Sequence, residues 1–261
     1  MIHRKVVFGI DDPTNHLDDE GRDWSHTGGD PRVFLETKKV WEKRIGEHTN
    51  VAIVLVRTSN VTSFVWEDDS HLIVPASPET DLESSMFYYN SFVKAISQRY
   101  SYDYYISTTL GVFWDFDRLL AHLGEIEPRQ VYMGRIWTHF PIWFISGSGI
   151  IISRDVAEMV IHAGDIKEYL IRNPKPIGFG DYVYKYNDVM FGAFMAQKGI
   201  RPRAERWWCD FDFNTLDNLD AIIAHADSLG MIQYRVKNSV DRITLDPIML
   251  NRLCDFKKKT P

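Results

Sequence analysis

With 261 residues, 44% of them hydrophobic and 25% charged, the chain can bury one large α/β core or two small ones. A net charge of −6 speaks against a broad nucleic-acid footprint, and only two cysteines, Cys209 and Cys254, exclude a disulfide scaffold and suggest a reducing compartment. No apolar run approaches the roughly 18 residues of a membrane span, and the start lacks a signal-peptide pattern, so the expectation is a soluble, cytoplasmic protein.

The chain opens on an apolar run, Lys5 to Ile10, that stops at Asp11-Asp12-Pro13, as a buried strand does. A polar loop from Asp11 to Pro31 follows, then a helix over about 33–45 with Phe34, Trp41 and Ile45 on one face. Val51 to Val56 is a second buried strand, ending in Arg57-Thr58-Ser59. A β, α, β order within the first 60 residues favours a parallel sheet with a right-handed crossover.

Leu72-Ile73-Val74 reads as a short strand, and Tyr89, Phe92, Val93 and Ile96 as the stripe of a helix. Tyr104-Tyr105-Ile106 is a strand running into Ser107 through Phe113, and Phe116, Leu119, Leu120 and Leu123 form another helical stripe. Beyond it come Val131-Tyr132-Met133, an aromatic segment from Trp137 to Phe144, the punctuation Ser146-Gly147-Ser148-Gly149, and a strand over Ile150-Ile151-Ile152. Ser153 is placed to cap a helix buried through Val156, Met159 and Val160.

A Pro/Gly loop over 172–180 precedes a helix opening near Asn187, with Met190, Ala193 and Phe194 at its buried spacing. A further helix over about 216–229, a strand over about 231–236 and a short helix over about 247–253 complete the chain, and Lys257-Lys258-Lys259 reads as a solvated tail. No internal repeat or linker appears, so one domain is the better count. No pattern sets an oligomeric state.

Four features carry chemistry in one order: the Arg57-Thr58-Ser59 strand end, Tyr102 through Phe113, Phe144 through Asp155, and Asn187-Asp188-Val189 with Gly192 and Gly199-Ile200. In order and spacing they resemble the β-1,3-galactosyltransferase and Fringe-type glycosyltransferases, and the likeness covers nearly the whole chain. The resemblance implies a GT-A fold, that is, a Rossmann-like α/β domain with a mostly parallel central sheet flanked by helices. It also implies a nucleotide-sugar donor, most often a UDP-sugar, a glycan acceptor hydroxyl, and transfer with inversion. Residues 1–124 would then form the nucleotide-sugar half and 125–261 the acceptor-binding and catalytic half.

One departure stands out. Where that family carries an acidic, metal-holding triplet, this chain has Thr109, Leu110 and Gly111, which offer no hard anionic oxygens to Mn²⁺ or Mg²⁺. Either the diphosphate is met by cations and backbone N–H groups, or the metal site has moved. Asp115 and Asp117, or Asp210 and Asp212, are the stand-in carboxylates; a helix cap is the alternative for the first pair, and acceptor or structural contacts for the second.

Asp188 is the candidate general base, since transfer with inversion requires a carboxylate within reach of the acceptor hydroxyl. The plainer alternative is a carboxylate that merely charges a first helical turn. Asp11, Arg57, Thr108, Thr109, Leu110, Gly111, Arg235 and Lys237 are expected on the donor side. Ser146, Gly147, Ser148, Gly192, Trp208 and Asp210 are expected on the acceptor side, Gly192 by leaving room beside the base. The rival from another class is a catalytically silent glycan- or nucleotide-binding protein on the same fold.

Overall fold

In the computed structural model, residues 4–12, 31–59, 61–75, 84–139, 141–174, 187–211, 216–236 and 242–259 are described. The strand expected at the start is β1 (Val6–Asp11); after it come α1 (Pro31–Glu42), β2 (Val51–Ser59), β3 (Val65–Trp66), β4 (His71–Pro75) and α2 (Ser84–Arg99). The middle of the chain forms β5 (Tyr104–Thr109), β6 (Val112–Trp114), α3 (Phe116–Gly124), β7 (Tyr132–His139) and β8 (Ile142–Ser153). Then come α4 (Arg154–Ala163), α5 (Ile166–Arg172), α6 (Asn187–Gln197), β9 (Arg203–Ala204), β10 (Trp208–Phe211), α7 (Leu219–Ser228), β11 (Gln233–Val236) and α8 (Arg242–Lys259).

Eight strands form one sheet in the order β3-β4-β2-β1-β5-β8-β7-β9, and β10-β11-β6 form a small second sheet. The central run β4-β2-β1-β5 is parallel, as the opening β, α, β order requires, while β8 joins antiparallel to both β5 and β7. This is the expected α/β class. Strand side chains alternate between two cores. Val7, Val54 and Tyr105 join α2, α4 and α6 in one, whereas Val6, Phe8, Ile53 and Ile106 join α1 and α3 in the other. A third cluster ties β11 to α7 and α8.

Three local expectations change. Ser146 to Gly149 does not interrupt the chain before a strand; it lies inside the 12-residue β8. The last helix is 18 residues long rather than a short one over about 247–253. Lys257 is no part of a solvated tail: it lies between two carboxylates, 2.6 Å from Asp115 and paired also with Asp227. Periodicity cannot foresee that contact, because the partners lie far away in the chain.

Candidate active site

The strand ends come first. Asp11 of β1 stands in register with Val56 of β2 and Thr109 of β5, so the C-terminal ends of these parallel strands make one edge, the usual ligand side of an open α/β sheet. The Asp11 side chain lies outside the described residues, as do Lys237, Asp212 and most of the loops expected over 11–31 and 172–180. Its neighbour Asp12 is buried and ion-paired to Lys38 at 2.7 Å. Arg57 is paired with Glu67, which engages the charge expected to meet the nucleoside.

Of the residues expected beneath the diphosphate, only Thr109 is exposed. Leu110 is fully buried and its carbonyl accepts the indole N–H of Trp41 at 3.0 Å; the Gly111 carbonyl accepts the Val236 N–H at 2.7 Å. The small sheet brings Arg235 there, because β11 pairs with β6 so that Arg235 opposes Val112. Arg235 is half-buried and has no carboxylate ion-pair partner among the described residues. A guanidinium so placed can receive phosphate oxygens.

Thr109, Leu110 and Gly111 thus present one hydroxyl and backbone groups, which do not fit a hard divalent cation. The stand-in carboxylates are otherwise engaged. Asp115 caps α3, accepting the Arg118 N–H at 3.1 Å, and pairs with Lys257. Asp117 points to solvent with His48 at 3.3 Å. Asp210 holds Arg135 at 2.6 Å, and that guanidinium stacks 3.9 Å from the centre of the Trp208 ring. Among the described residues no group of three or more His, Cys, Asp or Glu side chains could hold a metal ion.

Asp188 lies in the first turn of α6, where its carboxylate accepts the Val189 N–H at 3.0 Å. Burial pushes its pKa above the ordinary carboxylate value, against the stabilising N–H groups of Val189, Gly147 and its own residue. Gly147 belongs to a bulge: β7 steps from Gly134 to Ile136 while β8 steps from Ile150 to Ile145, so Arg135 alone opposes Ser146 to Gly149. Asp188 and Gly147, far apart in sequence, are thus neighbours in the fold.

The room expected at Gly192 is not there. A Cβ at Gly192 would lie 2.5 Å from Phe144 Cβ and 3.0 Å from the Trp143 carbonyl, so the missing side chain is used to seat α6 on β8 and leaves no room for a ligand. A Cβ at Gly147 meets nothing within 4 Å, and this residue is exposed. Of the two, Gly147 is the glycine with open space about it. Gly192→Ala is therefore expected to cost about 1–3 kcal/mol of stability through overpacking, whereas Gly147→Ala leaves the urea midpoint near that of the wild type.

Thr108 is not free to meet a donor. Buried, it donates to the Ser148 carbonyl at 2.9 Å and accepts the Trp114 indole N–H at 3.2 Å. Sequence reasoning missed two residues of this neighbourhood, Gln233 and Tyr132; neither carries a local signal, since each acts through partners brought by pairing of distant strands. A cavity of about 370 Å³ lined by Ser97, Arg99, Tyr102 and Arg154 opens near the start of β5, the end opposite Thr109.

No protein-family model and no curated protein matches the sequence. Among solved structures, the chain is similar to a glycosyltransferase involved in the glycosylation of the major capsid of PBCV-1, at 12% identity and a TM-score of 0.47, over 94% of this chain and 98% of that one. It is also similar to the galactosyltransferase LgtC in complex with donor and acceptor sugar analogs, at 11% identity and a TM-score of 0.47, over 98% and 95% of the two chains. At such identities the chemistry has to come from this chain's own residues.

Proposed function

We propose that this chain is a GT-A-type inverting glycosyltransferase that moves a sugar from a nucleotide-sugar, a UDP-sugar in the first instance, to a hydroxyl of a glycan acceptor. The observation that carries the reading is the Asp188 carboxylate, partly buried in the first turn of α6 and accepting the Val189 N–H, with the exposed Gly147 on the strand nearby. Asp188 accepts the proton of the acceptor hydroxyl as that oxygen bonds to the anomeric carbon. The bond from that carbon to the phosphate oxygen breaks, the nucleoside diphosphate leaves with the electron pair, and the configuration inverts.

On the donor side the reading places Thr109 and the backbone of the turn to Gly111 beneath the diphosphate, with Arg235 opposing its charge and Asp11 near the nucleoside. The charge on the leaving group is met without a divalent metal, which the neutral strand end favours. Ser146 and Gly147 border the acceptor, and Trp208 with Asp210 extends that side. In this reading the first half of the chain serves the donor and the second half the acceptor.

The test is a transfer assay over a panel of nucleotide-sugars and glycan acceptors, with Mn²⁺ or with EDTA, the anomer of the product being assigned by proton NMR. Inverted product, formed undiminished in EDTA, is expected. Neither turnover nor nucleotide binding under any condition would sink the enzyme reading, and product of retained configuration would remove Asp188 from the role of base. The acid side of the rate profile supplies a second check. Because burial raises the Asp188 pKa, kcat/KM is expected to fall on acidification at a higher pH than an ordinary aspartate would give.

A further inference from the structure

We infer that Gln233, together with Thr108, is a positioning residue that clamps the β8 bulge beside α6, the helix that carries Asp188 and is seated on β8 through Gly192 and on Tyr132 through Phe191. The inference rests on the transfer reading only for its kinetic consequence; the clamp itself is read from hydrogen bonds. Gln233 opens β11, in register with Trp114 of β6 and Trp208 of β10, and is 2% exposed. Its amide donates to the Ser148 carbonyl at 2.9 Å, the oxygen that Thr108 also meets at 2.9 Å. Trp114 donates to the Thr108 hydroxyl, which leaves that hydroxyl's own proton for Ser148.

A carbonyl with two buried donors is held at both lone pairs, so the bulge cannot rotate there without stranding polar groups. The other flank is fixed as well. The Ile145 N–H donates to the buried Tyr132 hydroxyl at 2.8 Å, and the Tyr132 ring meets Phe191 of α6 edge-on at 5.5 Å. Ser146 and Gly147 are thereby bracketed by two anchors, one to the small sheet and one to the helix that carries Asp188. Packing is tight enough to enforce this: a Cβ at Gly149 would lie 2.2 Å from the Gln233 amide nitrogen, and one at Gly134 would lie 2.5 Å from the Gly149 carbonyl.

Gln233 touches neither proposed substrate, yet the clamp fixes the strand segment against which the helix of the carboxylate is packed, an outer support of the kind that preorganised sites use. The experiment is Gln233→Met, which keeps length and removes the donor, compared with wild type by carbon NMR of protein labelled at the aspartate carboxyl carbons. The Asp188 signal is the one missing from Asp188→Asn. With the clamp lost, the bulge is free to turn and the Gly147 N–H, which favours the ionised carboxylate, moves away, so the Asp188 midpoint is expected to move to higher pH.

In the transfer assay the same variant is expected to lose about ten- to hundredfold in kcat, with the donor KM unchanged. A folded Gln233→Met whose Asp188 midpoint coincides with wild type overturns the inference. Should that variant fail to fold, Thr108→Val removes the second donor and its Asp188 midpoint decides in the same way. Because the titration requires no turnover, absence of transfer in the wild type would defeat the proposed function while leaving this result to stand or fall by itself.

Discussion

Asp188→Asn is expected to lower sugar transfer about 10²–10⁴-fold while nucleotide affinity stays near wild type, measured by initial rates beside calorimetric titration of the nucleotide. Asparagine keeps the shape of the side chain and can still accept the Val189 N–H, but it cannot take the acceptor proton. Stability should move the other way. A carboxyl whose folded pKa is raised binds its proton more tightly when folded, so the ionised form costs stability as pH rises from the unfolded pKa through the folded one. The neutral amide escapes that cost. The variant is therefore expected to melt at or above the wild-type temperature at neutral pH, a trade of stability for function. Turnover close to wild type would place the base elsewhere.

Lys257→Met should produce the largest loss of stability, about 3–5 kcal/mol by urea denaturation at neutral pH, because it leaves two nearly buried carboxylates without the cation between them. Asp115 and Asp227 are 9% and 12% exposed in their side chains, and Lys257 contacts both. Arg118, at 3.0 Å from Asp227 and 3.6 Å from Asp115, remains as partial compensation.

The loss should shrink in acid. Burial opposes the ionised form of Asp227, but Lys257 and Arg118 outweigh it and hold the carboxyl below its ordinary pKa. Such a group adds stability that is present above the unfolded pKa and disappears as pH falls through the folded one. A penalty independent of pH would mean that methionine packs badly there rather than that a charge is missing. The same contacts give Asp115 a structural task, fastening α8 to the start of α3.

The architecture was legible because its signals are local. Hydrophobic runs of β-branched residues, helical stripes such as Phe116, Leu119 and Leu123, and the alternation of strand and helix each depend on residues within a turn or two of one another. Asp188 was legible for the same reason, as a carboxylate in the first turn of an apolar helix.

The supports of that carboxylate were not legible. Which backbone N–H would meet it depended on four residues of β8 opposing one of β7, and a mismatch between strands has no signature in either strand alone. Gly192 and Gly147 look alike in sequence, yet one is filled by Phe144 and the other opens outward, since packing decides what surrounds a missing side chain. Thr108 and Gln233 became partners only when β5, β8 and β11 converged on the Ser148 carbonyl.

By itself, then, the sequence determined most of the longer elements, their order, the parallel run of the sheet and the carboxylate at the head of α6, but not α5, β3 or β10. Tertiary structure alone decided which groups fill that carboxylate's surroundings, because burial, hydrogen-bond partners and free space belong to contacts between distant segments.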